Sequence, residues 1–208
     1  VKSKDKELVG RLFSAKIIEL ALSNYPGFFA GGGVKSGGPV LIYWPALVDS
    51  KHINEVVHFN GKSKELKPTS QLNFEEIYYQ TEPVKIPDAP KGETSYVPLG
   101  TLFGARSGDK GGCANLGVWA KDLDAFAFLS SFLTIEKLKE LMPDLKEFKI
   151  ERFDLPNILS LNFYIHDILE DGVSSNSRKD AQAKSLGEYL RAKKANIPSS
   201  LLETLNEY

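Results

Sequence analysis

The sequence predicts an α+β fold, and three observations carry that prediction. Leu159, Leu161, Phe163 and Ile165 alternate within residues 158–165, the period of a half-buried strand. Ala183, Leu186, Leu190 and Lys194 recur along one face of a predicted helix over residues 180–193. Strands and helices of the second half follow one another as β, β, α, β, β, α. That order suits an antiparallel sheet with its helices on one face.

Taken in order, residues 3–23 predict a helix. Leu8, Val9, Leu12, Phe13, Ile17, Leu20 and Ala21 share a face, with Ser3 as its cap. Pro26 and Gly27 stop it. Glycines flank residues 34–36, which read as a flexible turn. Val40-Leu41-Ile42-Tyr43-Trp44 reads as a buried strand and residues 53–59 as a second. Residues 61–70 are polar and read as a loop, with Lys62, Lys64 and Lys67 solvated. Pro68, Pro83, Pro87 and Pro90 mark an extended linker, in which residues 74–79 can dock one strand or turn. Beyond it, residues 96–103 and 115–120 read as strands and residues 123–132 as a helix. Thr134 caps a helix that Pro143 ends. Residues 145–153 and 158–165 are two further strands, and Asp180 caps the last helix. The expected architecture is a ferredoxin-like antiparallel α/β sandwich over residues 96–195. Residues 71–95 form the linker before it, and 196–208 a tail after it.

Composition excludes several classes of function. In 208 residues, 26 Lys+Arg balance 27 Asp+Glu for a net charge of -1. Non-specific nucleic-acid binding needs a basic surplus, so nucleic acid is not an expected partner. No run approaches the ~20 apolar residues of a membrane span, so neither is a membrane. Cys113 is the only cysteine, which rules out an internal disulfide framework. The chain opens on Val1 and its only methionine is Met142, so it reads as processed or truncated. No secretory signal is visible, and an intracellular, cytoplasmic location is expected, with mitochondria or peroxisomes as alternatives.

The densest chemistry lies in Gly104-Ala105-Arg106-Ser107-Gly108-Asp109-Lys110-Gly111-Gly112-Cys113-Ala114-Asn115. Read as a Gly-rich loop between strands, it offers backbone N–H groups as an anion nest. Arg106 can clamp a carboxylate or phosphate, and Lys110 adds a point charge. The segment is not a P-loop, because Lys110 is followed by glycine. The same residues also suit a tight hairpin connection in which Asp109 pairs with Lys110 or Arg106. Asp109, Ser107 and Lys110 contain the parts of an acid–base site. Cys113 suits a small buried residue better than a nucleophile.

His52, His58 and His166 form no helical metal pair, His58 and His166 read as hydrogen-bonded structural residues, and no metal site is expected. Ser174, Ser175, Ser177, Arg178 and Lys179 precede the last helix, whose positive end Asp180 already occupies.

These motifs resemble a known family. Ala105-Arg106-Ser107-Gly108-Asp109-Lys110-Gly111-Gly112 followed by Ala114-Asn115-Leu116-Gly117-Val118 is similar to the signature of the acyclic terpene utilisation protein A family. Tyr25-Pro26-Gly27-Phe28-Phe29 with Tyr43-Trp44-Pro45-Ala46-Leu47-Val48 fits the same family. So do Leu155-Pro156-Asn157 leading to Leu161-Asn162-Phe163, and Asp180-Ala181-Gln182-Ala183-Lys184. The resemblance implies that residues 1–70 are the tail end of a larger N-terminal α/β domain. It implies that the C-terminal ferredoxin-like domain is complete. The marked positions carried over are Arg106, Ser107, Gly108, Asp109, Lys110, Gly111 and Asn115. Cys113 stands where a polar or acidic residue is usual, and Ala183 where glycine is usual.

Two readings of function follow. The resemblance implies a component of branched isoprenoid catabolism through acyl-CoA thioesters. Arg106, Ser107, Gly108, Gly111, Gly112 and Asn115 would then bind substrate, and Lys110 and Asp109 would move a proton. No cofactor is required, and a coenzyme A thioester is the expected substrate. The alternative is a non-catalytic assembly or anion-binding module whose Gly-rich segment docks a partner. Expected partners are a preceding domain, a separate chain or a second copy.

Overall fold

The alternation of residues 158–165 is realised in a four-stranded antiparallel sheet. A computed structural model describes residues 1–23, 25–29, 32–33, 35–66 and 83–203. In chain order the elements are α1 (Lys6–Val9), α2 (Arg11–Leu22), β1 (Glu55–Phe59), β2 (Lys62–Leu66), β3 (Thr94–Pro98), β4 (Gly104–Lys110) and β5 (Cys113–Trp119). There follow α3 (Leu123–Phe132), α4 (Ile135–Leu141), β6 (Ile150–Leu155), β7 (Ser160–Ile165), α5 (Leu186–Arg191), β8 (Lys194–Pro198) and α6 (Ser199–Glu203). Two compact units divide the chain: Val1–Tyr43 with Lys85–Tyr208, and Trp44–Val84.

In the first unit the sheet order is β4-β5-β7-β6. β5 and β6 are both antiparallel to β7, so they run parallel to each other. α3 and α4 carry the chain between them, the split β-α-β arrangement of a ferredoxin-like α+β fold. β3 and β8 form a separate antiparallel pair.

Period-2 alternation decides which face is buried. Ala114, Leu116 and Val118 of β5 and Leu161, Phe163 and Ile165 of β7 belong to the core. That core also takes Phe126 and Leu129 of α3, Leu138 of α4, and Leu186 and Leu190 of α5. The helices start where their caps dictate. Ala125 N–H donates to Asp122 Oδ1 at 2.8 Å, and Lys137 N–H to Thr134 Oγ1 at 3.1 Å. Met142 ends α4, and Pro143 opens a 3-10 turn.

Several expectations need correction. The helix over residues 3–23 is broken at Gly10 into α1 and α2, and Asp5, not Ser3, is the N-cap. No residue of either helix is buried. Val40 to Trp44 form no strand and are 46% to 86% exposed, because no neighbouring strand pairs with them among the described residues. Lys62–Leu66 is a strand, not a loop. Asn60 and Gly61 both have positive φ, 48° and 72°, and their two-residue turn folds β2 back on β1.

Residues 104–115 are not a loop either. β4 and β5 pair from Gly104↔Trp119 to Lys110↔Cys113, leaving only Gly111 and Gly112 as the turn. Gly111 has φ 64°, and a Cβ on Gly112 would run into the Glu170 carbonyl oxygen. The helix expected from Asp180 is α5, and it begins at Leu186. The Asp180 carboxylate instead accepts from Lys184 N–H, Ser185 N–H and the Ser185 hydroxyl, closing a turn ahead of α5. Lys194 lies in β8, not on a helix face. Residues 67–82, with Lys67, Pro68 and the predicted strand or turn at 74–79, lie outside the described residues, as does Gly31.

Candidate functional site

Because the helices cover one face of the sheet, every second side chain points to the other, open face. The ladder registers arrange that face as a grid of four rows. The first row reads Gly104, Trp119, Ser160 and Leu155 across the strands. The second reads Arg106, Gly117, Asn162 and Phe153, and the third Gly108, Asn115, Tyr164 and Glu151. Lys110 and Cys113 begin a fourth row, and His166 N–H, bonded to the Lys149 carbonyl at 3.0 Å, extends it towards β6. Neighbours in a row stand about 5 Å apart, and successive rows about 7 Å.

This grid separates the residues that the sequence put in one loop. Arg106, Gly108, Lys110 and Asn115 share the open face. Ser107 and Asp109 alternate to the helix side. The Ser107 hydroxyl accepts Gly187 N–H at 3.0 Å, so it caps the amino end of α5 from a neighbouring strand. A Cβ on Gly187 would stand 3.2 Å from the Arg106 nitrogen, so α5 lies almost on the β4 backbone. Asp109 lines a cleft of about 390 Å³ with Gly111, Gly172, Val173 and Ser174. The Asp109 carboxylate pairs with neither Arg106 nor Lys110. Lys110 Nζ donates instead to the Asp109 backbone carbonyl at 3.0 Å.

Arg106 and Lys110 are exposed, and neither forms an ion pair among the described residues. Between them, a Cβ on Gly108 would meet nothing within 4 Å. The result is a shallow trough of bare backbone flanked by two cations. Asn115 Nδ2 donates to Asn162 Oδ1 at 3.3 Å beside it. At one end the face is apolar, with Trp119 42%, Phe153 48% and Leu155 41% exposed.

The other end holds groups that proton chemistry uses. His166 Nε2 lies 2.6 Å from Glu151 Oε1, and the His166 ring meets the Tyr164 ring edge-on at 4.9 Å. The hydrogen bond with His166, then Lys149, holds the Glu151 carboxyl below the usual glutamate range. The Cys113 thiol and burial push the Tyr164 phenol above its usual value, with smaller contributions from Asp167 and Glu151. The apolar alternation of residues 158–165 already placed Asn162, Tyr164 and His166 on the opposite face. Their partners from β6 and β5 depend on strand register.

Among the described residues no helix is long and apolar enough to cross a membrane. Among them, too, no group of three or more His, Cys, Asp or Glu could hold a metal ion.

No curated protein and no solved structure matches the chain. Residues 97–196, which run from β3 into β8 and contain the whole grid, match the family model described as the AtuA ferredoxin-like domain. Residues 97–196 are thus similar to the AtuA ferredoxin-like domain, consistent with the C-terminal portion of that family.

Proposed function

We propose that the chain is a component of branched isoprenoid and acyl-CoA catabolism, and that the open face of its sheet binds the anionic part of an acyl thioester. One observation carries the reading: Arg106 and Lys110, unpaired with any carboxylate among the described residues, flank the bare Gly108 backbone on the face that presents the Asn115 amide. Their Cα atoms stand four residues apart on one strand, about 13 Å. That span suits two separate anionic groups, such as the pyrophosphate and 3′-phosphate of coenzyme A. The binding role thus falls to Arg106, Gly108, Lys110 and Asn115. Ser107, Gly111 and Gly112 build the hairpin and its helix contact. Lys110 acts here as a charge, and the opposite-facing Asp109 takes no part.

Titration calorimetry with coenzyme A and isovaleryl-CoA tests this. Arg106→Ala and Lys110→Ala should each weaken binding about tenfold, the loss of one charge-assisted contact of about 1.4 kcal/mol. Binding should also weaken with added salt. Absent binding, or binding indifferent to both substitutions, overturns the reading.

The exposed Trp119, Phe153 and Leu155 favour a second reading, in which the same face docks another copy in a homo-oligomer. That reading predicts self-association that Phe153→Ser abolishes, with no response to coenzyme A.

A further inference from the structure

We infer that His166, positioned by Glu151, is the proton acceptor of this face, and that Tyr164 is the hydrogen-bond donor beside it, for proton abstraction from the α-carbon of an acyl thioester. The inference rests on the acyl-thioester reading above and deepens it.

The geometry assigns the roles. Glu151 is a carboxylate at neutral pH, because His166 and Lys149 hold it ionised. A carboxylate only accepts hydrogen bonds, so His166 Nε2 carries the proton across the 2.6 Å contact. In the neutral ring Nδ1 is then unprotonated, and among the described residues it makes no hydrogen bond. A carboxylate that fixes the tautomer, with the opposite nitrogen left open, is the arrangement that makes a histidine a general base. Tyr164 keeps its proton, since its hydrogen bond with the Cys113 thiol and burial raise it, and it can turn that proton from the weak sulfur acceptor to an enolate oxygen. Both rings lie on the face of Arg106 and Lys110, and Tyr164 shares its row with Asn115 and the Gly108 floor. The titratable and charged groups around His166 are Glu151 from β6 and Lys149 just before it, Tyr164 and Asp167 from its own segment, and Lys110 and Cys113 from the hairpin.

The step balances without a redox partner. The thioester Cα–H bond breaks and the proton passes to His166 Nδ1. The C–H electron pair forms a C=C bond while the carbonyl π pair moves to oxygen. The enolate oxygen accepts a hydrogen bond from the Tyr164 hydroxyl. The proton on His166 Nδ1 exchanges with solvent, and transfer of a proton from Nδ1 back to the α-carbon regenerates the thioester and the neutral base. Glu151 is a positioning residue, acting through His166.

Exchange in D2O reads this step alone. The full chain is incubated with isovaleryl-CoA, and deuterium at the α-carbon is followed by mass spectrometry. Exchange should exceed the buffer rate by about 10²-fold or more, and His166→Ala should lower it by about 10²-fold. Added imidazole should restore part of the rate to His166→Ala, which a merely structural role would not allow. Glu151→Gln should slow exchange while leaving isovaleryl-CoA affinity unchanged. Tyr164→Phe should also slow exchange, which guards against a misfolded His166 variant. Binding without exchange above buffer overturns this inference and leaves the binding reading standing. An unchanged rate in His166→Ala, or no rescue by imidazole, also overturns it. Absence of binding overturns both.

Discussion

Arg152 is the best place to test how the helices are held to the sheet. It points from β6 to the helix side, and its side chain is 16% exposed. Nη1 donates to the Leu133 carbonyl at 3.0 Å, and Nη2 to the Ser130 carbonyl at 2.8 Å. Ser130 lies in the last turn of α3 and Leu133 is its C-cap, where no further helical N–H can reach their carbonyls. Nη2 also bonds Ser130 Oγ at 3.0 Å and Asp154 Oδ1 at 2.6 Å. A hydrogen bond from a charged donor contributes about 1.5–3 kcal/mol. Arg152→Ala loses two such bonds and leaves two acceptors in want of water, so it should cost about 2–4 kcal/mol after partial solvation. The Asp154 carboxylate is 53% exposed, so Asp154→Ala should cost under about 1 kcal/mol. Urea unfolding followed by Trp119 emission measures both, since Trp44 is already 86% exposed. At a slope of about 2 kcal/mol/M the Arg152 variant should unfold about 1–2 M earlier. Equal losses for the two variants would refute the capping argument and assign the stability to the surface ion pair.

Four further outcomes rest on the same geometry. Ser107→Ala removes the acceptor for Gly187 N–H and should cost about 0.5–2 kcal/mol in the same denaturation, as loss of an N-cap does. Gly112→Ala should destabilise the hairpin by about 1–3 kcal/mol, because its methyl meets backbone at Glu170. Gly108→Ala meets nothing, so stability should stay within about 0.5 kcal/mol while coenzyme A affinity falls in calorimetry. Acid should weaken the fold through Asp180. Burial opposes its ionisation, but the Ser185 hydroxyl and the Ser185 and Lys184 amides outweigh burial and lower its pKa. A depressed folded value means that its stabilisation is complete above the usual aspartate pKa of about 4 and is lost as pH falls through the lower folded value. Thermal melts should therefore drop more steeply below about pH 4 in the parent than in Asp180→Asn.

Much of the ferredoxin-like domain was legible because its signals are local. The alternation around Phe163, the Thr134 cap and the stop at Pro143 each act within a few residues. The Gly104–Asn115 segment was misread because its glycine density suggests a loop. Its period-2 arrangement, Arg106, Gly108 and Lys110 against Ala105, Ser107 and Asp109, is that of a strand. The polar β2 was missed for lack of an apolar pattern, although Asn60-Gly61 announces a hairpin. Val40 to Trp44 shows the converse, since an apolar run becomes a strand only with a neighbour to pair with. The Glu151–His166 contact was out of reach of the sequence. Fifteen positions separate its members, and only the β6–β7 register brings them within 2.6 Å. The Asp180 turn delays α5 until Leu186, because its carboxylate competes for the amides that would have opened the helix.

Amide chemical-shift mapping tests most directly which face of the sheet meets the ligand. Titration of the isotope-labelled chain with isovaleryl-CoA should shift Arg106, Gly108, Lys110, Asn115, Gly117 and Asn162 together, with Ser174 and Tyr189 unmoved. Shifts centred on Val173 and Ser174 beside Asp109, or on Arg178 and Tyr189 beside α5, would contradict it.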